Sequence, residues 1–407
     1  MSLISWAIEG RDLILSLIEA EEKVKCDVNW NHLEPTSLAV EEYSAEDGGS
    51  SLRELRTYKL IAVKAWATRF AGGSSAGGVQ KGYVGLILPQ DFRTTRRVSV
   101  YRQVLEAEVA RLAAPRNGLA LFDGSPPIRW GKVGASRWGE ALEFAGTVVK
   151  RHWRHVSAMS GATCESDEPE CLVEVLASAR VRPLSAHFLL RLASAGALNG
   201  VLSEARGKGL GKYWIDAMEN LERLVVFKGA LEAVWGNRST PLFIVKTSRT
   251  TSLCASAMPD VHVIERTLRE RRDMEPGFTA RLYADLGGYF GLSRASPEGL
   301  YPPVRALRDF YEGQVSVLST FVRLRRAGYV FRVEAVLRRD QVEGANEEAL
   351  ARELLSRLSS LPLTVEGYPV ALVVADRNAR VSGEEMDGVL RALGADLVPE
   401  SRSVLRV

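Results

Sequence analysis

The order of the first β-rich segments constrains the fold more than any other feature of this sequence. Two β-rich runs, 60–70 and 82–88, are joined by the Gly/Ser-rich segment 71–78, which suits a long flexible hairpin connection. Residues 96–113 then place apolar side chains at helical spacing, and the apolar run 118–122 ends in turn residues. The sequence therefore predicts an antiparallel hairpin, then a helix, then a buried strand.

The rest of the chain divides into a helical middle and a second group of strands. Residues 138–235 carry helical patterning and no strand signal. Strand patterns return in three segments, of which the last two are close enough to form a hairpin: 241–247, 315–326 and 329–338. A helix is expected at 347–358, followed by another helix and a strand-like C-terminal end.

The domain organisation follows from these patterns. Residues 2–24 form an amphipathic helix pattern with Leu3, Trp6 and Leu13 on one stripe, which suits a docking or dimer element as well as an ordinary packed helix. We divide the chain into an N-terminal helix and lead-in (1–40), the first part of a core (41–137), a mostly helical insertion (138–240) and the second part of the core (241–407).

Composition and charge exclude several classes of protein. The 407 residues, 46% hydrophobic and 25% charged, match ordinary globular usage. The net charge of +3 is small, so affinity for a phosphate backbone must come from local basic clusters. Four widely spaced cysteines form neither a CxxC pair nor a secreted framework, so we expect reduced thiols. With no signal-peptide pattern and no apolar run of ~18 residues, the sequence predicts a soluble cytoplasmic protein that does not enter a membrane.

Two acidic Asp-Gly turns are candidates for a metal site. Asp47 precedes one strand pattern and Asp123 ends another, although a lone Asp-Gly is usually only a turn. Mg²⁺ and Mn²⁺ need several converging oxygen ligands, so other acids must lie nearby. The helix before Asp123 offers Glu106 and Glu108, and Glu108 lies nearer its apolar face. A further acid, Asp376, lies in a late apolar segment, and for each acid the alternative is a solvated helix or turn carboxylate.

Two basic segments are candidates for contact with nucleic acid. Lys246 ends a buried strand pattern and precedes the donor-rich turn 247–250, at which a phosphate can be held. Arg323 and Arg325 alternate with apolar residues in a strand pattern, so they share one face and can line a positive groove. The ordinary alternative for all of them is a solvated charged surface.

The sequence does not support an ATP-binding loop, a zinc site or a serine hydrolase. The Gly-rich segment 207–212 is similar to a phosphate loop, but Tyr213 stands at the hydroxyl position, which argues against Mg–ATP binding there. His152 and His155 share a helix face without a second ligand pair at zinc spacing. No GxSxG sequence supports a serine hydrolase.

Taken in order, several segments resemble the NurA nuclease family, which processes DNA ends together with HerA hexameric translocases. They are the DGGS sequence at Asp47 with LIAVKAWA after it, the helix with Glu106, and then LALFDGSP, FIVKTSRT, FVRL and GYPVALVVADRNARVS. The resemblance extends from about Glu41 to the C-terminus. It implies an α/β, RNase H-like mixed sheet, with antiparallel hairpin strands first and parallel strands after them, flanked by helices.

The resemblance also implies roles for individual residues. Four acids correspond to the carboxylates and the late ligand of the family, with Glu106 preferred to Glu108 on the helix: Asp47, Glu106, Asp123 and Asp376. They would hold one or two Mn²⁺ or Mg²⁺ ions, while Lys246 and Arg323 contact DNA. Further implications are a homodimer, a HerA-like ATPase as partner, 5′-to-3′ resection of DNA ends, and endonuclease activity on single strands.

Two other functions are compatible with the same residues. A catalytically silent adaptor would use the fold to grip DNA or dock a translocase, with the acids in structural turns. A sugar or acetate kinase on an actin-like fold would use the DGGS and DGS sequences as phosphate loops and would need a nucleotide site. Manganese-dependent cleavage of labelled single-stranded DNA separates a nuclease from an adaptor, and ATP binding identifies a kinase.

Overall fold

A mixed sheet of nine strands is the framework of the described part of the chain. The computed structural model describes residues 11, 26, 28–34, 40–55, 58–128, 137–162, 169–251, 253–254, 256, 258–290 and 304–394. The strands are β1 (Asn31–His32), β2 (Glu42–Glu54), β3 (Lys59–Ala71), β4 (Ser74–Leu86), β5 (Leu119–Asp123), β6 (Thr240–Val245), β7 (Gly277–Tyr283), β8 (Val315–Arg323) and β9 (Phe331–Arg338). They lie in the order β1-β7-β8-β9-β6-β5-β2-β3-β4.

The helices fill the connections between the strands. They are α1 (Thr94–Leu112), α2 (Trp138–Arg151), α3 (Pro169–Ala177), α4 (Leu184–Ser194), α5 (Leu198–Gly207), α6 (Tyr213–Gly236), α7 (Asp260–Glu270), α8 (Leu286–Tyr289), α9 (Arg305–Gly313), α10 (Arg339–Val342), α11 (Glu347–Ser359), α12 (Val370–Ala379) and α13 (Gly383–Ala392). The N-terminal helix expected at 2–24, apart from Arg11, and the strand-like C-terminal end lie outside the described residues. Among the described helices, none is long and apolar enough to span a bilayer.

The pairing of the strands confirms the mixed sheet predicted from the sequence. Strands β2, β3 and β4 form an antiparallel meander, while β5 lies parallel to β2 and β6 lies parallel to β5. Parallel neighbours need long crossovers, which α1 and the helical stretch from α2 to α6 provide. The expected second group of strands is present as β6, β8 and β9, and the last two form the predicted hairpin.

The connection between β3 and β4 differs from the expectation. The Gly/Ser-rich segment is expected to be a long flexible connection, but Ser74 already begins β4. The turn is formed by Gly72 and Gly73, whose φ angles are 55° and 79°. Glycine adopts positive φ at little cost, so two residues suffice to reverse the chain. The remaining Gly and Ser residues belong to the exposed outer half of β4.

Both faces of the parallel strands are buried, as expected for strands with crossovers on either side. In β5, Phe122 belongs to the apolar cluster that includes Leu224 of α6, while Leu121 belongs to the cluster that includes Leu354 of α11 and Leu372 of α12. The sheet is therefore a middle layer, with α1 and α6 on one face and α11 and α12 on the other.

A buried ionic network fixes α1 against α6. The guanidinium of Arg97 lies 2.8 Å from Glu219 Oε1, and each side chain is 1% exposed. Tyr101 also donates its hydroxyl hydrogen to Glu219. Because a buried charge is costly unless it is paired and hydrogen-bonded, this network fixes where α1 lies along α6. Its position matters because α1 carries Glu106.

A disulfide corrects the expectation of reduced thiols. Cys26 and Cys254 are bonded to each other, and Cys171 is disulfide-bonded as well. The expectation rested on the absence of closely spaced cysteines, whereas Cys26 and Cys254 are 228 residues apart. They meet because the lead-in segment packs in the same apolar cluster as Val263 and Ile264 of α7.

Candidate active site

The first candidate acid lies within a strand and not in a turn. Asp47 and the two glycines after it are expected in a turn, but all three belong to β2 and pair with β3. The glycines are needed for space. A Cβ on Gly48 would lie 2.3 Å from Glu106 Oε1, and a Cβ on Gly49 would lie 2.2 Å from the carbonyl oxygen of Ala379. They therefore let α1 approach one face of the sheet and the end of α12 approach the other.

Asp123 lies beside Asp47 because β5 runs parallel to β2. The register pairs Glu46 with Phe122, so the next residues along both strands, Asp47 and Asp123, are neighbours. Asp123 is the last residue of β5, where strand pairing ends. Burial, with the charges of Asp123 and Asp376, raises the pKa of Asp47 to about 6. The carboxylates are thus close enough to oppose each other's ionisation.

Glu106 faces this site, whereas Glu108 does not. Glu108 forms an ion pair of 2.8 Å with Arg111 on the same helix. Glu106 Oε1 lies 3.2 Å from Arg102 Nε and under the space left by Gly48. Burial raises the pKa of Glu106 to about 7, although Arg102 opposes this shift. Of the two glutamates that the sequence offered, the structure brings Glu106 to the acids.

Asp376 reaches the site from the second layer of helices. It lies near the end of α12 and accepts a 2.5 Å hydrogen bond from Arg380. Its charge contributes to the raised pKa of Asp47. The structure therefore brings all four predicted acids to one end of β5, from both faces of the sheet.

Glu46 is an acid of the site that the sequence analysis missed. Its side chain is 3% exposed, and its Oε2 atom has no hydrogen-bond partner in the described part of the chain. Burial, followed by the charges of Glu106 and Asp47, raises the pKa of Glu46 well above its ordinary value. The sequence does carry one signal for Glu46, because this ionisable residue directly precedes the candidate ligand Asp47.

Tyr368 is a second residue that the sequence analysis missed. Burial and the nearby charges of Asp123 and Asp47 raise the pKa of its phenol. The ring lies 4.2 Å from the ammonium of Lys246, and the buried hydroxyl has no hydrogen-bond partner among the described residues. Tyr368 precedes α12 in an apolar segment, so only the tertiary structure shows that it lies beside the acids.

The two predicted basic residues have different positions. Lys246 follows β6 directly, and its ammonium lies 2.8 Å from Asp123 Oδ2, so it belongs to the site. Arg323 does not line a groove as expected, because its side chain is 1% exposed. Its guanidinium donates hydrogen bonds to the carbonyl oxygens of Asp273 and Gly328, at 2.8 and 3.0 Å, and so fixes the loops at the end of β8.

The donor set fits a hard divalent cation by its chemistry. All the acids offer carboxylate oxygens, which Mg²⁺ and Mn²⁺ prefer, and a buried oxygen of Glu46 is unpartnered. As placed, no three His, Cys, Asp or Glu side chains of the described residues are close enough to share one ion. Basic groups lie against three of the acids instead: Lys246 at Asp123, Arg102 at Glu106 and Arg380 at Asp376. A cation would replace these partners.

The fold and the site define an α/β protein with a cluster of acids where its parallel strands end. The NurA domain model matches residues 41–381, so this chain belongs to the NurA family. Comparison with curated proteins gives no significant match.

Solved structures share the fold at low sequence identity. The NurA nuclease from Sulfolobus solfataricus is 19% identical, with a TM-score of 0.57 and 98% of each chain covered. A NurA structure with manganese is 14% identical, with a TM-score of 0.55, covering 96% of this chain and 99% of that one. A NurA bound to dAMP and manganese is 16% identical, with a TM-score of 0.54 and full coverage, 100%, of both chains. These similarities in fold cover 96–100% of this chain.

Proposed function

We propose that this protein is a metal-dependent DNA nuclease. The observation that carries the proposal is the meeting of four acids from β2, α1, β5 and α12 at the end of β5. Membership of the NurA family supports it, as do the similar folds of a nuclease and of complexes with manganese and dAMP. The antiparallel meander followed by parallel strands supports an RNase H-like assignment of the core.

The acids are the residues that would hold Mn²⁺ or Mg²⁺. The ligands would be Asp47, Glu106, Asp123 and Asp376. When bound, such an ion turns a water into a nucleophile and neutralises charge on the phosphate that is cut. Deprotonation of Asp47 and Glu106, whose pKa values are raised to about 6 and 7, makes these oxygens available as ligands.

Lys246 is the residue of this chain that we assign to the DNA backbone. Its ammonium lies between the Asp123 carboxylate and the face of the Tyr368 ring. A phosphate brought to the acids comes within reach of this ammonium, which stabilises negative charge as it develops on the phosphate oxygens. The ring face of Tyr368 would hold the Lys246 ammonium in place if the Asp123 carboxylate bound the cation.

The activities and partners in our proposal follow the family. We propose a single-strand endonuclease and 5′-to-3′ exonuclease that acts in the cytoplasm as a homodimer, in DNA end resection with a HerA-like hexameric ATPase. The chain supports the need for a separate motor, because Tyr213 replaces the Mg²⁺-binding hydroxyl in its one phosphate-loop-like segment. Co-purification with a HerA-like ATPase and the mass in solution test these assignments.

Asp123→Asn tests the nuclease directly, with Asp340→Asn as a matched control. Asp340 is an exposed acid on α10 that forms an ion pair with Arg338. We expect Asp123→Asn to abolish cleavage of labelled single-stranded DNA in Mn²⁺ while binding of the DNA persists. Asp340→Asn should cleave at the wild-type rate. Undiminished cleavage by Asp123→Asn, or equal cleavage by the wild type in EDTA and in Mn²⁺, would contradict the proposal.

One observation favours the alternative of a catalytically silent adaptor. Three of the acids already form ion pairs with basic side chains, which balance their charges without a cation: Asp123 with Lys246, Glu106 with Arg102 and Asp376 with Arg380. An adaptor would retard labelled single-stranded DNA at every Mn²⁺ concentration and release no product, whereas a nuclease yields product that increases with the metal.

A further inference from the structure

A second cavity lies on the sheet next to the acidic site. It encloses about 450 Å³, compared with about 100 Å³ for the small cavity that Glu106 and Asp123 line. Cavities of ~300–1,000 Å³ are typical of small-molecule sites. It is lined by residues of β7, β8 and β9 and by residues outside these strands such as Thr250 and Phe290. This cavity therefore has the size of a ligand site, and none of the four candidate metal ligands lines it.

Strand register places this cavity level with the end of β5. One row of paired residues crosses β6, β9, β8 and β7 as Val245, Arg332, Phe321 and Thr279. The row two residues further along, whose side chains share the same face of the sheet, crosses them as Phe243, Glu334, Ser319 and Arg281, and Phe243 pairs in turn with Phe122 of β5. Neighbouring strands are ~4.8 Å apart, so β8 lies about 14 Å from β5. The two cavities therefore lie side by side along one edge of the sheet.

A hydrogen bond connects the linings of the two cavities. Arg332 lines the larger cavity, and Ser125, two residues after Asp123, lines the smaller one. Arg332 Nη2 lies 3.2 Å from Ser125 Oγ. A polymer that passes the acids and continues along the sheet therefore meets Arg332 first and the larger cavity next.

Aromatic rings form one wall of the larger cavity. Tyr283 and Tyr289 pack edge to face with ring centroids 5.6 Å apart, and Tyr289 and Phe290 do so at 4.9 Å. The Tyr289 hydroxyl donates a 2.6 Å hydrogen bond to Glu334, which fixes the ring in place. Rings held in this way offer faces on which a planar base can stack, as in proteins that bind single strands.

The charges of the cavity favour an anionic ligand. The Arg281 guanidinium lies over the Tyr283 ring at 5.2 Å and makes no ion pair with any residue the structure describes. Asp260 lines the cavity and already accepts the backbone N–H groups of Leu253 and Cys254. Glu334 does not line the cavity, and it lies 3.3 Å from Arg332 and accepts the hydroxyl hydrogen of Tyr289. Arg281 is thus the charge available for a phosphate.

We infer that this cavity is a subsite for the DNA strand that the proposed nuclease cuts, and the inference rests on that proposed function. A base of the strand stacks on the Tyr283–Tyr289–Phe290 wall, and Arg281 binds a neighbouring phosphate. The recognised chemistry is a base joined to a phosphate, and a free nucleotide offers it as well. Continuity with the acidic site favours a nucleotide within a strand.

Binding measured without cleavage tests the subsite. Labelled ten-residue oligo(dT) is titrated in EDTA by fluorescence anisotropy at several salt concentrations, with the full chain and with the variants Arg281→Ala and Tyr283→Ala. Loss of one phosphate contact should lower the slope of log affinity against log salt by about 0.7 for Arg281→Ala. Loss of one stacked base should weaken binding by about 5-fold to 150-fold for Tyr283→Ala, and Tyr283→Phe should restore it.

Arg305→Ala is the matched control, since Arg305 is an exposed arginine of α9 outside the cavity. If Arg281→Ala and Tyr283→Ala bind like Arg305→Ala, or if the wild type does not bind the strand, the subsite is refuted. If dTMP binds as tightly as the oligonucleotide, the cavity is a mononucleotide site and the strand assignment is wrong. Cleavage in Mn²⁺ is measured separately. If the wild type does not cleave DNA but the two variants still bind it more weakly than the wild type does, the proposed nuclease activity is wrong and the subsite stands.

Discussion

Acidification should weaken the binding of a divalent cation by this protein far more than it would for ordinary surface carboxylates. Burial is the main cause that raises the pKa of Asp47 to about 6 and that of Glu106 to about 7. A carboxyl group must lose its proton before it coordinates a cation, so protons and cation compete for these two side chains. The sign follows directly: affinity is highest above pH 7 and falls as the pH falls through both values.

The size of the effect follows from the two pKa values. A pH of 5 lies about one unit below the pKa of Asp47 and about two units below that of Glu106, and both side chains must lose their protons before they bind the cation. Each unit costs about 1.4 kcal/mol, so the affinity at pH 5 should be about a thousandfold below that above pH 7. The plot of log affinity against pH should have a slope near two below pH 6, near one between pH 6 and 7, and near zero above.

Calorimetric titration of Mn²⁺ into the DNA-free protein at pH 5, 6, 7 and 8 measures this curve. Glu106→Gln removes one titrating ligand, so its slope below pH 6 should fall to about one. Glu108→Gln is the matched control, because Glu108 lies on the same helix and pairs with Arg111. It should follow the wild-type curve. An affinity that is constant from pH 5 to 8, or an unchanged slope in Glu106→Gln, would refute the reasoning.

Three further predictions concern the surroundings of the site. Glu219→Ala leaves the buried Arg97 without its carboxylate and should lower the free energy of unfolding in urea by about 3–5 kcal/mol. Gly48→Ala adds a Cβ 2.3 Å from Glu106 Oε1, so circular dichroism should stay native while calorimetry shows weaker Mn²⁺ binding. Glu46→Gln removes a carboxyl group whose pKa is raised by burial. A carboxyl group with a raised pKa in the folded state makes the folded protein less stable as the pH rises, so the Tm of the variant should exceed the wild-type Tm by more at pH 8 than at pH 5.

The fold could be predicted where local pattern and tertiary packing agree. The helix α1, the hairpin of β8 and β9, and the helical stretch between β5 and β6 all follow from periodicity. The outer half of β4 could not be predicted, because exposed Gly and Ser residues carry no apolar alternation. The pairing of Cys26 with Cys254 was also out of reach, since it depends on where the lead-in segment packs and not on spacing along the chain.

The site was predictable where an acid ends an apolar strand, and less so elsewhere. Asp123 was recognisable because β5 is short, buried and followed by a turn glycine. The position of Asp47 within β2 was not, because Gly48 and Gly49 are typical turn residues and only the approach of two helices explains them. Arg323 was misplaced because strand alternation predicts a shared face but not whether another layer covers that face.

The basic partners explain how one end of the sheet can hold so many acids at neutral pH. Burial first, and repulsion between neighbouring carboxylates second, raise the pKa values of Asp47, Glu106 and Glu46, which shows the cost of holding these acids together. Lys246 offsets part of that cost by lying against Asp123. A divalent cation supplies the same compensation more strongly, so it competes with the ammonium for the carboxylate. The ammonium also lies on the face of the Tyr368 ring. In the proposed nuclease, this ring would keep the ammonium at the site if the carboxylate bound a cation instead.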